Sequence, residues 1–236
     1  MKQLALNITP TWQPTLDNFV VGRNVEIIST LRHALIGQST PQPAGQCYLL
    51  WGESGSGKSH VLQAVSQYAH TLQLAAHYID AAEFNHYSTN MLQAVYAPVV
   101  AIDDVEKLDD TAQIKLFALY NHLRENGGLL LVSSHAAPAH LTVRDDLRTR
   151  LGWGLVYQLH SLSDEEKGQA LDQHAQVRGL NLPHEVTQYL LRHGRRDLPA
   201  LLAVLDELDT HCLRLKRTPS VPLLKEVMQN FNLEMQ

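Results

Sequence analysis

With 236 residues, 44% of them hydrophobic, and a formal charge of −5, the chain has material for one large domain, or for a large and a small one with separate cores. The acidic balance excludes a protein that holds bare nucleic acid by charge alone, because neutralising phosphates needs a concentrated basic face. Two cysteines, Cys47 and Cys212, exclude a disulfide framework, and thirteen scattered histidines without an H-x-H or H-E-x-x-H pattern give no metal signature.

No stretch reaches the ~18 apolar residues of a membrane span, and no basic flank with an apolar block and cleavage site opens the chain; a cytoplasmic protein without membrane contact is predicted. The first feature in chain order is QLALNI (3–8), where Leu4, Leu6 and Ile8 alternate and would line one face of an extended segment. Such a segment is either an edge strand of the protein's own core or a peptide whose alternate side chains fill pockets on a partner. From Val25 through Ile28 and Leu31 to Leu35 the apolar spacing is helical, and GQSTPQPAGQ (37–46) ends that helix as a loop of turn formers.

CYLLW (47–51) is a short, wholly apolar run, as expected of a strand covered on both faces; HYI (77–79), PVVAI (98–102), LLLVSS (129–134) and LVYQL (155–159) are read the same way. Helical spacing fills most of the intervals, which predicts an α/β fold with a parallel sheet flanked by helices. After Leu162 the strands stop. Ser163 and Glu166 form a capping box that starts a helix ending near Gly179, Val186 to Arg192 reads as a second, and Leu198, Leu201, Leu205, Leu208 and Cys212 line a long third. A small helical domain of about 70 residues is therefore appended to the sheet.

The segment after the first apolar run, GESGSGKS (52–59), fits G-x-x-x-x-G-K-[ST] between a predicted strand and a predicted helix. Glycines there let backbone N–H groups close around phosphate oxygens, Lys58 neutralises β/γ oxygens and Ser59 can ligate Mg²⁺. The third apolar run ends in Asp103 and Asp104. Asp103 is the candidate for the metal side of the site; Asp104 either polarises an attacking water or only starts a helix. Ser133 and Ser134 end the fourth run, where a polar group can report a γ-phosphate. Arg150 and Arg196 are candidates for that phosphate because a planar guanidinium stabilises its loose transition state, with solvated surface arginines as the alternative.

Together, LDNFVVGRN (16–24), GESGSGKSH (52–60), AIDDVEKL (101–108), LRTRLGWGL (147–155) and RDLPALLAVLDEL (196–208) resemble the AAA+ core of the DnaA family, whose founding member initiates bacterial chromosome replication. The resemblance implies a P-loop AAA+ core with a helical lid, divided as 1–14 (clamp-binding peptide and linker), 15–162 (AAA+ nucleotide-binding domain) and 163–236 (lid). It also leads us to expect a chain without the initiator's N-terminal interaction domain and C-terminal DNA-reading domain. QLALNI resembles the peptide by which replication proteins dock on the β sliding clamp, with Gln3, Leu4, Leu6 and Ile8 as its contacts. That combination is similar to the family's regulatory members, which inactivate the initiator.

The implied roles fall on individual residues. Gly52, Glu53, Ser54, Gly55, Ser56, Gly57, Lys58, Ser59 and His60 would form the phosphate loop, and Val20 and Val21 the adenine pocket. Ser59 and Asp103 would hold Mg²⁺, Asp104 would complete the metal side, and Arg196 would sense nucleotide from the lid. Arg150 would be an arginine finger acting in trans on ATP bound by DnaA. The resemblance implies ADP, or ATP or another nucleotide diphosphate, as resident ligand, a homo-oligomer, and DNA contact mainly through the clamp. One departure stands out: relatives carry an aspartate where this chain has His135, after Ser133 and Ser134, which implies poor intrinsic hydrolysis. The alternatives are an autonomous DNA-stimulated ATPase such as a helicase loader, and an adaptor that joins DnaA to a partner without promoting hydrolysis.

Overall fold

The computed structural model describes residues 13–38, 45–88, 91, 96–195 and 197–234, with side chains up to 229. QLALNI and Arg196 lie outside the described residues. Helix α1 (Val25–Gly37) leads into β1 (Gln46–Trp51), α2 (Lys58–Thr71), β2 (Ala76–Asp80) and the short α3 (Ala81–Phe84). Then come β3 (Val99–Asp103), α4 (Asp110–Glu125), β4 (Leu129–Ser134), α5 (Asp145–Gly152) and β5 (Leu155–Gln158). The five strands are all parallel in the order β2-β3-β4-β1-β5.

Period-two alternation divides the central strands between two cores. Tyr48, Leu50, Ala101 and Leu131 face α1 and α2, while Leu49, Ile102, Leu130 and Val132 face α4 and α5. Both faces of β3 and β4 are fully buried, which explains why their sequences are continuous apolar runs.

The last strand departs from that expectation. β5 is one edge of the sheet and β2 the other; among the described residues β5 pairs with β1 alone, and Leu155 and Val156 remain 48% and 36% exposed. An apolar run marks a strand; it does not distinguish the middle of a sheet from its edge, where one side lacks a neighbour.

Among the described residues four helices follow: α6 (Asp164–Val177), α7 (His184–His193), α8 (Leu198–Leu215) and α9 (Val221–Glu234). They enclose their own core of Leu171, Val186, Leu190, Leu205, Leu208 and Leu224. The capping box read from sequence is formed: Ser163 Oγ accepts from the Glu166 N–H, and the Glu166 carboxylate accepts from the Ser163 N–H. Among the described residues no helix is long and apolar enough to cross a membrane.

Candidate functional site

Parallel strands deliver their C-terminal ends to one edge of the sheet, and the polar residues read from sequence gather there. Trp51, just before the phosphate loop, pairs in register with Ser134, and Asp103 with Asp80. The loop from Gly52 to Gly57 runs from β1 into α2. Gly55 and Gly57 have φ of +78° and +96°, a region open to glycine without the Cβ penalty of other residues. At Gly57 a Cβ would also stand 2.8 Å from the Phe19 ring, so the entry segment presses directly against the loop.

Lys58, at the start of α2, is buried and donates to the carbonyls of Gly52 (2.8 Å) and Glu53 (3.0 Å). Burial lowers its pKa, an effect opposed by the charges of Asp104, Asp103 and Glu106. Ser56 Oγ is buried and has no hydrogen-bond partner among the described residues. A buried ammonium folded onto its own loop, an unpartnered hydroxyl and a glycine cradle fit a bound polyphosphate, which can supply acceptors to all three. Glu53, Ser54 and Ser59 are exposed along the loop.

Next to the loop, His60 is partly buried; its Nε2 lies 3.0 Å from the Thr15 carbonyl and its ring stacks edge-on against Phe19 at 5.2 Å. Burial lowers its pKa, partly opposed by the Thr15 bond.

Asp103 is only 2% exposed, and both its oxygens are engaged: Tyr78 Oη donates to Oδ2 at 2.8 Å and Ser133 Oγ donates to Oδ1. Ser133 Oγ in turn accepts from the Asp104 N–H at 2.8 Å. Each carboxylate oxygen keeps a second lone pair, so Asp103 fits a role as acceptor for the waters of a hydrated Mg²⁺ ion, which retains several of them. Among the described residues no cluster of three His, Cys, Asp or Glu side chains is placed to hold a metal by itself.

Asp104 occupies the left-handed region at φ +58° and makes no capping bond to the short 3-10 turn 105–107. Its carboxylate pairs with Lys107 at 2.8 Å and lies 3.4 Å from His135 Nε2. The Lys107 partner is foreshadowed by the i, i+3 spacing, whereas the Tyr78, Ser133 and His135 contacts cross between strands and have no local signature.

Arg150 stands apart from these groups, in the last turn of α5. Its guanidinium lies 4.5 Å from the Trp153 ring centroid and 5.9 Å from that of Phe117, and among the described residues it forms no ion pair. Trp153 itself is 64% exposed. Val20 and Val21 sit half-buried at the mouth of a cleft between the sheet domain and the lid, whose inner part is lined by Phe19, Gly55, Ser56, Gly57 and Leu198.

Strand order, phosphate loop and appended helical lid define a P-loop protein of the AAA+ class. The family model for the bacterial DnaA ATPase domain matches residues 11–158, and that for the Hda lid domain matches residues 164–228. The chain thus belongs to the bacterial DnaA ATPase family and carries an Hda-type lid. A relative in Haemophilus influenzae, described as an uncharacterised protein, is 33% identical over 232 residues, covering 96% of this chain and 98% of that one.

Among solved structures, domain III of the Thermotoga maritima replication initiation protein DnaA superposes with a TM-score of 0.74 at 22% identity, covering 92% of this chain and 96% of that one. AMPPCP-bound DnaA from Aquifex aeolicus gives a TM-score of 0.68 at 23% identity over 83% of this chain. The present chain spans 65% of the length of that protein.

Proposed function

We propose that this DnaA-related protein binds an adenine nucleotide, with ADP as resident ligand, and promotes ATP hydrolysis by DnaA. In this reading Gln3, Leu4, Leu6 and Ile8 dock on the β sliding clamp, which brings the protein to DNA, and Arg150 reaches ATP held by a neighbouring DnaA. The nucleotide reading is supported by the glycine cradle with buried Lys58 and the unpartnered Ser56 Oγ at its base, and by the AMPPCP bound to a DnaA of the same fold.

Within the site, loop N–H groups and Lys58 would hold the phosphates and keep them in register. Ser59 would ligate Mg²⁺ directly and Asp103 through water; the ion supplies charge neutralisation at the β/γ oxygens. Arg196 would sense the nucleotide from the lid. Asp104 is the candidate for polarising water, but its pairing with Lys107 and His135 favours slow turnover of the protein's own nucleotide.

The observation that carries the reading is the contrast at Arg150. Its charge has no carboxylate partner among the described residues, yet two aromatic rings flank it at the surface, where cation–π contact can orient it without neutralising it. Finger chemistry in trans requires a head-to-tail contact with another AAA+ subunit.

The test is ATP hydrolysis by DnaA on clamp-loaded DNA. Arg150→Ala is expected to lower the stimulated rate by about 10³-fold, the lower bound for loss of an arginine finger. Undiminished stimulation by that variant would reject the assignment.

A further inference from the structure

The two edges of the sheet are finished differently. No residue of β2 is exposed, whereas in β5 Leu155, Val156 and Gln158 all are. The backbone of β5 is open on its outer side as well. The Leu159 N–H donates to the Trp51 carbonyl of β1, so by alternation Leu155 and Tyr157 also turn their peptide groups toward β1, and those of Val156 and Gln158 point out of the sheet. Such an edge is a template for a further strand.

The connections determine which edge a strand preceding α1 would join. From β1 the chain crosses to β2 by way of α2, and α1 packs on the same face of the sheet as α2. From β4 to β5 it crosses in the opposite direction, with α5 on the opposite face. These crossovers share one hand, right-handed by the general rule for parallel units. A strand feeding β1 through α1 keeps that hand only from the β5 side of β1, where the first vacant place is alongside β5; the β2 edge would reverse it.

The entry segment leads to the same edge. Asn24, at the start of α1, exchanges two bonds with the residue just past β5: its Nδ2 donates to the His160 carbonyl at 3.0 Å, and the His160 N–H donates to its Oδ1 at 2.8 Å. Leu16 and Leu159 share one core cluster. From Gln13 back to Ile8 is five residues, an extended reach of about 17 Å. Pro10 falls in that connector, and 3–8 contains no proline to interrupt a ladder.

We propose that QLALNI (3–8), which lies outside the described residues, adds to the edge of β5 as a parallel strand, with Leu4, Leu6 and Ile8 on the face that Leu155 and Tyr157 share with α1. One extended segment cannot lie along β5 and fill pockets on the clamp at once, so edge pairing opposes clamp docking. This regulatory consequence rests on the clamp reading; the pairing itself does not.

The experiment is amide hydrogen exchange on the full chain at neutral pH, resolved at Val156 and Gln158, with Leu159, which faces β1, as the control. It compares the wild type, Leu6→Pro, and the wild type saturated with β clamp. The two outward amides are expected to exchange slowly in the wild type. Leu6→Pro, which removes a strand N–H, should speed them by about tenfold or more, the scale of a lost hydrogen bond, and leave Leu159 unchanged. Clamp should speed them likewise.

Exchange of Val156 and Gln158 at the rate of open backbone in the wild type overturns the inference, whatever the variant does. So does protection that Leu6→Pro leaves intact, or protection that rises with protein concentration, which marks a second copy on the edge. Clamp that binds without releasing the two amides overturns the competition. Clamp that does not bind overturns the docking reading instead, and the pairing stands or falls on Leu6→Pro alone.

Discussion

The end of β3 and the end of α5 handle charge in opposite ways. At β3, Asp103 is sunk in the sheet with donors on both oxygens, and Asp104 beside it is paired with Lys107 and close to His135. At α5, Arg150 stands at the surface against aromatic faces, with no carboxylate partner among the described residues. A buried carboxylate is stable only where donors compensate its lost hydration, so the first location is tied to the integrity of the fold. The second carries no such tie to the fold.

That contrast can be broken by experiment. The largest expected effect is the loss of DnaA stimulation in Arg150→Ala, with the variant's melting temperature unchanged. Ser133→Ala comes next: it removes the donor to buried Asp103 and the acceptor of the Asp104 N–H, and is expected to cost about 1–3 kcal/mol, measured by urea unfolding. If Ser133→Ala were neutral and Arg150→Ala destabilising, the two locations would have exchanged roles.

Smaller still, Lys107→Ala releases one partner of Asp104. The ion pair is part-exposed and worth under about 1 kcal/mol, so stability should barely change, while the protein's own ATP hydrolysis, followed by phosphate release, should rise by a few-fold. No rise would mean that Asp104 is not restrained by this pair.

The smallest effect is the pH response of His60. Burial holds its folded pKa below the ordinary 6.5. As pH falls below that value the unfolded chain takes up a proton that the folded ring resists, so this contribution is present above pH 6.5 and lost on acidification. Urea unfolding at pH 7.5 and 5.5 should show a smaller acid loss for His60→Asn than for the wild type.

Much of this was legible in the sequence wherever the signal is local. The phosphate loop announces itself by glycine spacing, and the lid by its capping box. β5 was misjudged because hydrophobicity reports apolar faces and says nothing of how many neighbours a strand has. The partners of Asp103 come from β2 and β4, and His135 approaches Asp104 from just past the end of β4. Such contacts are properties of packing, and no spacing rule on a single element encodes them.

The two cysteines, one in the sheet core and one in the lid core, have a practical consequence. Burial pushes the Cys47 thiol up to about 12 and raises that of Cys212 as well, so neither offers appreciable thiolate while its core is closed. Alkylation must await an opening event. Each half of the molecule therefore contains a chemical clock, and mass spectrometry of the two labelling rates, with and without nucleotide, would tell whether lid and sheet open together or one before the other.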